Sequence, residues 1–331
     1  MNMERSGLVP LSVFVLFAAF PAWGQLPKAQ AEGRDCSNLV VNRSFSQTFG
    51  GFLNVPMYFA SIGVPAPPAI GLVPNAGAGF ITFLPEGKVS GQVTLAIGLL
   101  GLLPDLTFEP TSQYSLSWDT NKTPPACSGT ITLNAPGEAP FHFRLLVSRN
   151  GQQIEMIHTD TGLIVGVTGY PVRTSGCSNQ TIGGKYSSNA EGWGLAAPPF
   201  SFPPDQVLAG YFPFAFSGAM EFRPNVPPAG LPDAPAGSGS VVGWDTPSVN
   251  GIILPRTETG WYKVDPDCTG KLVLGDSLGN DFHLEMFIGK SGKALHLVNI
   301  DTATLPGLPA PVPAFILGTT LDRMDGNGGD R

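Results

Sequence analysis

The chain has 331 residues, 13% of them charged, with a formal net charge of -7, 42 glycines and 33 prolines. An acidic chain with no run of Lys or Arg lacks the surface that neutralises phosphates, which excludes a nucleic-acid partner. Glycine and proline at this density, without long stretches of helix formers at helical spacing, exclude a helical bundle and point to strands joined by many turns.

The N-terminus carries Arg5, the apolar run LSVFVLFAAF at 11–20 and the small-residue site Ala22-Trp23-Gly24. This order predicts a secretory signal peptide over residues 1–24, then a linker over 25–35, and a secreted or periplasmic mature chain. The apolar run is short for a membrane span. The other candidate, 93–108 (VTLAIGLLGLLPDLTF), is broken by Pro104 and Asp105, so no span is expected after signal cleavage.

Cys36 and Cys177 are 141 residues apart, and so are Cys127 and Cys268. The same offset relates Cys36-Ser37-Asn38 to Cys177-Ser178-Asn179, Phe141-His142 to Phe282-His283, Gly151 to Gly292 and Asp160-Thr161 to Asp301-Thr302. An ordered series of this kind marks an internal duplication. It predicts one repeat over 36–173, a second over 174–323 and a flexible tail over 324–331. Four cysteines allow three pairings; a repeat that folds as a unit carries its own bridge, which selects Cys36 with Cys127 and Cys177 with Cys268. The exported compartment permits such bonds, and the isolated cysteines lack the close spacing of a zinc site.

Alternation between turn residues predicts strands in the first copy at 38–49, 79–84, 88–97, 113–119, 128–134, 140–148, 152–159 and 163–172. The second copy answers at 181–192, 211–222, 238–245, 255–264, 269–275, 280–289, 293–300 and 314–322. The last four strands of each copy are joined by short turns such as Arg149-Asn150-Gly151, as consecutive antiparallel hairpins require. The fold class is therefore all-β: two tandem antiparallel barrels of about eight strands each, with two β-sandwiches as the alternative. The apolar, proline-bearing segments 52–78 and 193–210 read as long first loops that pack on their barrels or between them, with a lid over the barrel mouth or an adhesive surface as the alternative. Proline-rich insertions at 224–237 and 305–313 distinguish the second copy.

Cys177-Ser178-Asn179 with Gly184-Lys185-Tyr186, the segment FLPEGKVSG at 83–91 and GWYKVDPDCTGKLVL at 260–274 resemble secreted bacterial tandem-repeat barrel domains of lipocalin-like or allene-oxide-cyclase-like type. The resemblance implies a barrel and an exported location; it carries over no catalytic residue.

Gly275-Asp276-Ser277-Leu278-Gly279 fits the nucleophile-elbow pattern, which needs a strand-to-helix turn with a histidine and an acid nearby. The aligned segment of the first copy, Asn134 to Glu138, has no serine, and 281–288 alternates as a strand, so a hairpin turn is the better reading. His142 and His283 are the histidines that repeat. They point to solvent if the apolar residues of their strands face the core, and into the barrel otherwise; they are the ligand or interface candidates. His158 and His296 align with Asn299 and Glu155, so a repeated metal site is not expected, and no cofactor motif is found. The functional expectation is an exported barrel protein that binds a small apolar or amphipathic ligand, or a protein partner through its Pro-rich loops. A structural or adhesive protein is the first alternative and a cyclase-like or esterase-like barrel enzyme the second.

Overall fold

The computed structural model describes residues 36–61, 63, 71–119, 126–172, 175–196, 210–228, 233–249, 252–304 and 311–324. The expected signal peptide and linker, the tail beyond Met324, and much of the expected first loops and proline-rich insertions lie outside the described residues.

The first copy contains β1 (Arg43–Asn54), α1 (Val55–Ser61), β2 (Leu72–Phe83), β3 (Val89–Ile97), β4 (Gly101–Thr107), β5 (Gln113–Asp119), β6 (Ala126–Leu133), β7 (Phe141–Val147), β8 (Ile154–His158) and β9 (Leu163–Val172). The second contains β10 (Gly184–Leu195), β11 (Tyr211–Arg223), β12 (Gly239–Val249), β13 (Ile252–Ile253), β14 (Arg256–Val264), β15 (Thr269–Asp276), β16 (Asp281–Gly289), β17 (Ala294–Asn299), β18 (Thr302–Ala303), β19 (Val312–Pro313) and β20 (Phe315–Arg323). Among the described residues every strand pairing is antiparallel, and the structure is all-β apart from α1 and short 3₁₀ turns.

The two copies differ in closure. In the second, β10, β11, β12, β14, β15, β16, β17 and β20 form a closed ring, with β12 paired on one side to β11 and on the other to β14. In the first, the nine strands run in the order β4-β3-β2-β1-β9-β8-β7-β6-β5 and curl without closing. The expected pair of all-β, barrel-like domains of about eight strands is present, closed in the second copy and open in the first. The unexpected strand β4 pairs with Gln92–Ile97 of β3, on the side where β12 carries β13 and β14 in the other copy. Only the foot of β3 reaches β5, through the bridge Lys88–Gln113 and the Val89 N–H bond to the Ser112 carbonyl (3.0 Å).

Alternation sets which side chains enter each interior. Along β7, Phe143, Leu145 and Val147 are buried inside while His142, Arg144 and Leu146 face out. One end of each interior is filled by a T-shaped aromatic chain, Phe45–Phe83–Tyr114 in the first copy and Tyr186–Phe222–Tyr262 in the second. The disulfides Cys36–Cys127 and Cys177–Cys268 belong to the same clusters and each spans 91 residues.

The first strand of each copy starts later than alternation predicts, because Cys36–Leu39 and Asn179–Ile182 form 3₁₀ turns. Polar side chains spend their hydrogen bonds locally there: the Ser178 N–H donates to Thr181 Oγ1 (3.0 Å), and Asn179 Oδ1 accepts from Val264 N (2.8 Å). At the other end of β1, the side chain of Asn54 caps α1 by accepting from Met57 N (3.1 Å). Val55 is fully buried and Tyr58 and Phe59 pack around Leu53 and Val73, so the described part of this first loop is a packed lid.

The outer faces of β1, β2, β3 and β9 lie against those of β16, β17 and β20. Phe80 meets Phe287, Tyr170 stacks on His296, Thr48 Oγ1 is 3.2 Å from Thr320 Oγ1, and Thr94 donates to Glu285. Small residues allow the approach: a Cβ at Gly318 would lie 3.1 Å from the Gly77 carbonyl oxygen. The copies therefore share a buried seam of mixed polarity.

Candidate functional site

Above its aromatic plug the first copy encloses a cavity of about 300 Å³. Its wall is almost wholly apolar. Val93, Leu95 and Ile97 of β3 and Val165 and Val167 of β9 contribute to it, Leu103 and Leu106 of β4 border the open seam, and Tyr58 and Phe59 of α1 cover the top. Well-packed interiors leave few voids larger than a water molecule, so this space needs an explanation.

Polar groups in the wall supply one. Gln47 and Asn75 are 2% and 4% exposed, and neither Gln47 Oε1 nor either side-chain atom of Asn75 has a hydrogen-bond partner. His158 also lines the cavity, with its side chain 2% exposed and its ring edge-on to Phe143 at 4.7 Å between centroids. The Asp160 N–H donates to His158 Nδ1 (3.1 Å), which places the ring proton on Nε2; that atom is 3.3 Å from Asp160 Oδ2 and makes no hydrogen bond. Burial lowers the pKa of His158, outweighing the favourable charge of Asp160, and so favours the neutral imidazole. Orphan buried amides cost on the order of 1–3 kcal/mol each. An apolar cavity with a few convergent neutral polar groups is the general form of a small-molecule site.

The second copy has diverged at the same positions. Asn299, 141 residues after His158, accepts from Asp301 N through Oδ1 (3.0 Å) and donates to Asp301 Oδ2 through Nδ2 (2.8 Å). Gln47 corresponds to Ser188 by the same offset. Phe214 takes the place of Asn75, and Phe315 stands where β1–β9 register puts Leu163. The cavity of the second copy shrinks to about 90 Å³ as a result.

This copy carries instead a buried charge cluster at one end. Arg256 forms a two-pronged pair with Asp245 (Nε–Oδ1 2.6 Å, Nη2–Oδ2 2.8 Å) and reaches Asp276 Oδ2 at 2.8 Å and Glu258 Oε1 at 3.4 Å. Its plane lies 4.9 Å from the centre of the Phe282 ring. Desolvation, then the neighbouring Asp245, raises Glu258 to about 7. Burial opposes ionisation of Asp276 as well, but hydrogen bonds from Asn280 and Arg256 hold its carboxyl below the usual range.

His142 and His283 do not enter either interior. Each faces out, with side chains 50% and 53% exposed, and is clamped by an aspartate: His142 Nδ1 to Asp160 Oδ1 (2.8 Å) and His283 Nδ1 to Asp301 Oδ1 (2.7 Å). The same aspartates accept from the backbone N–H of each histidine (2.9 Å). In the first copy Asp160 thus lies between the exposed His142 and the cavity residue His158. Sequence offset passed over His158 and Asn75 because neither repeats. A buried histidine in an otherwise apolar alternation was the available signal.

Ser277 sits in the turn between β15 and β16, where its N–H donates to the Thr257 carbonyl (2.9 Å) and its Oγ accepts from Thr257 N (3.1 Å). A strand follows it, not a helix. Among the described residues no three His, Cys, Asp or Glu side chains are grouped to hold a metal ion, and no helix is long and apolar enough to cross a membrane.

Comparison with protein-family models, curated proteins and solved structures found no match. The likeness to lipocalin-like and allene-oxide-cyclase-like domains therefore extends to barrel-like sheets and no further.

Proposed function

We propose that the chain is an exported tandem barrel protein whose first copy binds a small, mainly apolar and uncharged molecule. The carrying observation is the roughly 300 Å³ apolar cavity lined by the buried His158 and by Gln47 and Asn75, whose amide atoms lack partners. Among the described residues the lining contains no Lys or Arg to balance an acid head group, and Glu138 at its rim disfavours anions. Amide and imidazole groups suit a hydroxyl, carbonyl or amide on an otherwise hydrocarbon body. Two disulfides fit the exported location. The seam between β4 and β5 and the lid α1 offer routes of entry that a closed barrel lacks.

A purely structural role predicts filled interiors, and the cavity of the first copy counts against it. The test is equilibrium binding of the neutral dye N-phenyl-1-naphthylamine to the oxidised chain from Gln25, followed by its displacement with uncharged long-chain alcohols. One saturable site, displaced by the alcohols and not by the matching carboxylates, supports the reading. Absence of saturable binding overturns it.

A further inference from the structure

The interior of the second copy has chemistry that the first does not. Asp276 aligns by the repeat offset with Ala135, and Asp245 falls where strand register puts Val93. Three carboxylates face one guanidinium, and the hydrogen bonds divide unevenly. Asp245 takes both prongs of Arg256; Asp276 takes Arg256, the N–H groups of Leu278 and Asn280, and the Asn280 side chain. Glu258 lies beside Asp245 and reaches Arg256 only at 3.4 Å; it lines the cavity, and its Oε2 is buried without a donor.

The rest of the cavity is a cage of Phe214, Phe216, Phe282 and Phe315 with aliphatic neighbours. We propose that this cavity is a second binding site, for a small alkylammonium ion seated between the Glu258 carboxylate and the phenylalanine rings. A buried surplus of negative charge is relieved by a cation, and aromatic faces attract cations most strongly when both are desolvated. Arg256 occupies the centre of the carboxylates, where a metal ion would otherwise sit. The remaining wall offers carbon rather than oxygen, which favours an organic cation over a hydrated metal. The volume, about 90 Å³, is below the ~150 Å³ that accommodates benzene, which limits the guest to a few carbon atoms.

The charged groups around Glu258 are Asp245 on β12, Arg256 on β14 and Asp276 on β15; the facing parts of β11, β16, β17 and β20 contribute apolar side chains and Thr319. His283 and Glu285 on β16 point away from this interior. Binding should therefore follow the ionisation of Glu258 and weaken on acidification, because a proton on that carboxyl competes with the cation.

The experiment is a titration of the full oxidised chain from Gln25 with methylammonium and tetramethylammonium chloride at pH 8, with potassium chloride at equal ionic strength as the control. The expected result is one saturable site for an alkylammonium ion, at least tenfold weaker at pH 5.5 and at least tenfold weaker in Glu258→Gln. Intermolecular NOEs from the ligand methyl protons to phenylalanine ring protons give a readout in the unaltered protein. Asn75→Phe, which alters the first copy, should leave this binding unchanged. No saturable binding, equal affinity for potassium, or undiminished binding by folded Glu258→Gln overturns the proposal.

Discussion

Asn75 and Phe214 occupy one position of the duplicated fold: Asn75 pairs across the strands with Gly51 and Phe214 with Gly192, and the two glycines are 141 residues apart. One copy places an unpartnered amide at this point and the other a ring stacked on Phe216. This exchange, with Leu163 for Phe315, separates an interior with room for a guest from one that is nearly full.

Asn75→Phe should transfer the filled state to the first copy. Binding of N-phenyl-1-naphthylamine is expected to fall at least tenfold. Stability to urea should stay level or rise by about 1–2 kcal/mol, since an orphan buried amide is removed. A loss of more than about 2 kcal/mol would show that the cavity cannot take the ring.

His158→Asn copies the arrangement of Asn299 and keeps an acceptor for the Asp160 N–H, so the stability change should be under about 1 kcal/mol. His158→Leu removes that acceptor and should cost about 1–3 kcal/mol. The folded-state pKa of His158 is lowered by burial, so its contribution is complete above about pH 6.5, the unfolded value, and is lost as pH falls through the lower folded value. Urea melts between pH 7 and pH 4 should show a decline that is shallower in His158→Asn.

Glu258 acts in the opposite direction. Its folded pKa, about 7, lies above the unfolded value of 4.5. The protonated form is therefore favoured by folding, and the associated stability is complete below about pH 4.5 and lost as pH rises through 7. Glu258→Gln should remove this loss. A variant that declines as steeply as the parent between pH 5 and pH 8 would assign the proton elsewhere.

Each disulfide closes 91 residues. Replacing either pair with serines should destabilise its copy by roughly 4–5 kcal/mol in the chain-entropy account. Thermal melts of the two variants provide the measurement. Similar losses are expected, because the loop lengths are equal.

Ser277→Ala removes one turn hydrogen bond and should cost about 1 kcal/mol. Hydrolysis of p-nitrophenyl acetate should not change. A fall in a reproducible parent activity would reopen the esterase reading.

The fold was legible where one face of a strand meets water. Alternation placed Gln113–Asp119 and Leu163–Val172 at the bounds the structure shows. It failed on β2, expected from residue 79 and found from Leu72, because Val73 to Gly79 is buried on both faces, one toward the cavity and one toward the second copy. A strand covered on both sides has no polar face to alternate. It also missed β4, where Pro104, a positive φ at Asp105 and a register shift against β3 disguise the pattern. The candidate sites were harder to see for a different reason. The repeat exposes what the copies share, such as the cysteines and His142 with His283, whereas both cavities depend on substitutions that break the repeat: Asn75 against Phe214, His158 against Asn299 and Ala135 against Asp276.

In both copies the first strand pairs with the last, β1 with β9 and β10 with β20. Neither sheet can be completed until the final segment of its copy is available, however early the intervening hairpins form. Such wide sequence separation between partners slows folding and leaves β1 and β10 with open edges in the meantime. Each cysteine pair is present before that last strand follows in the chain, so oxidation can hold a half-built sheet together while it waits. A chain cut before Phe315 would leave β10 without one of its neighbours, and its open edge would then be available to other chains.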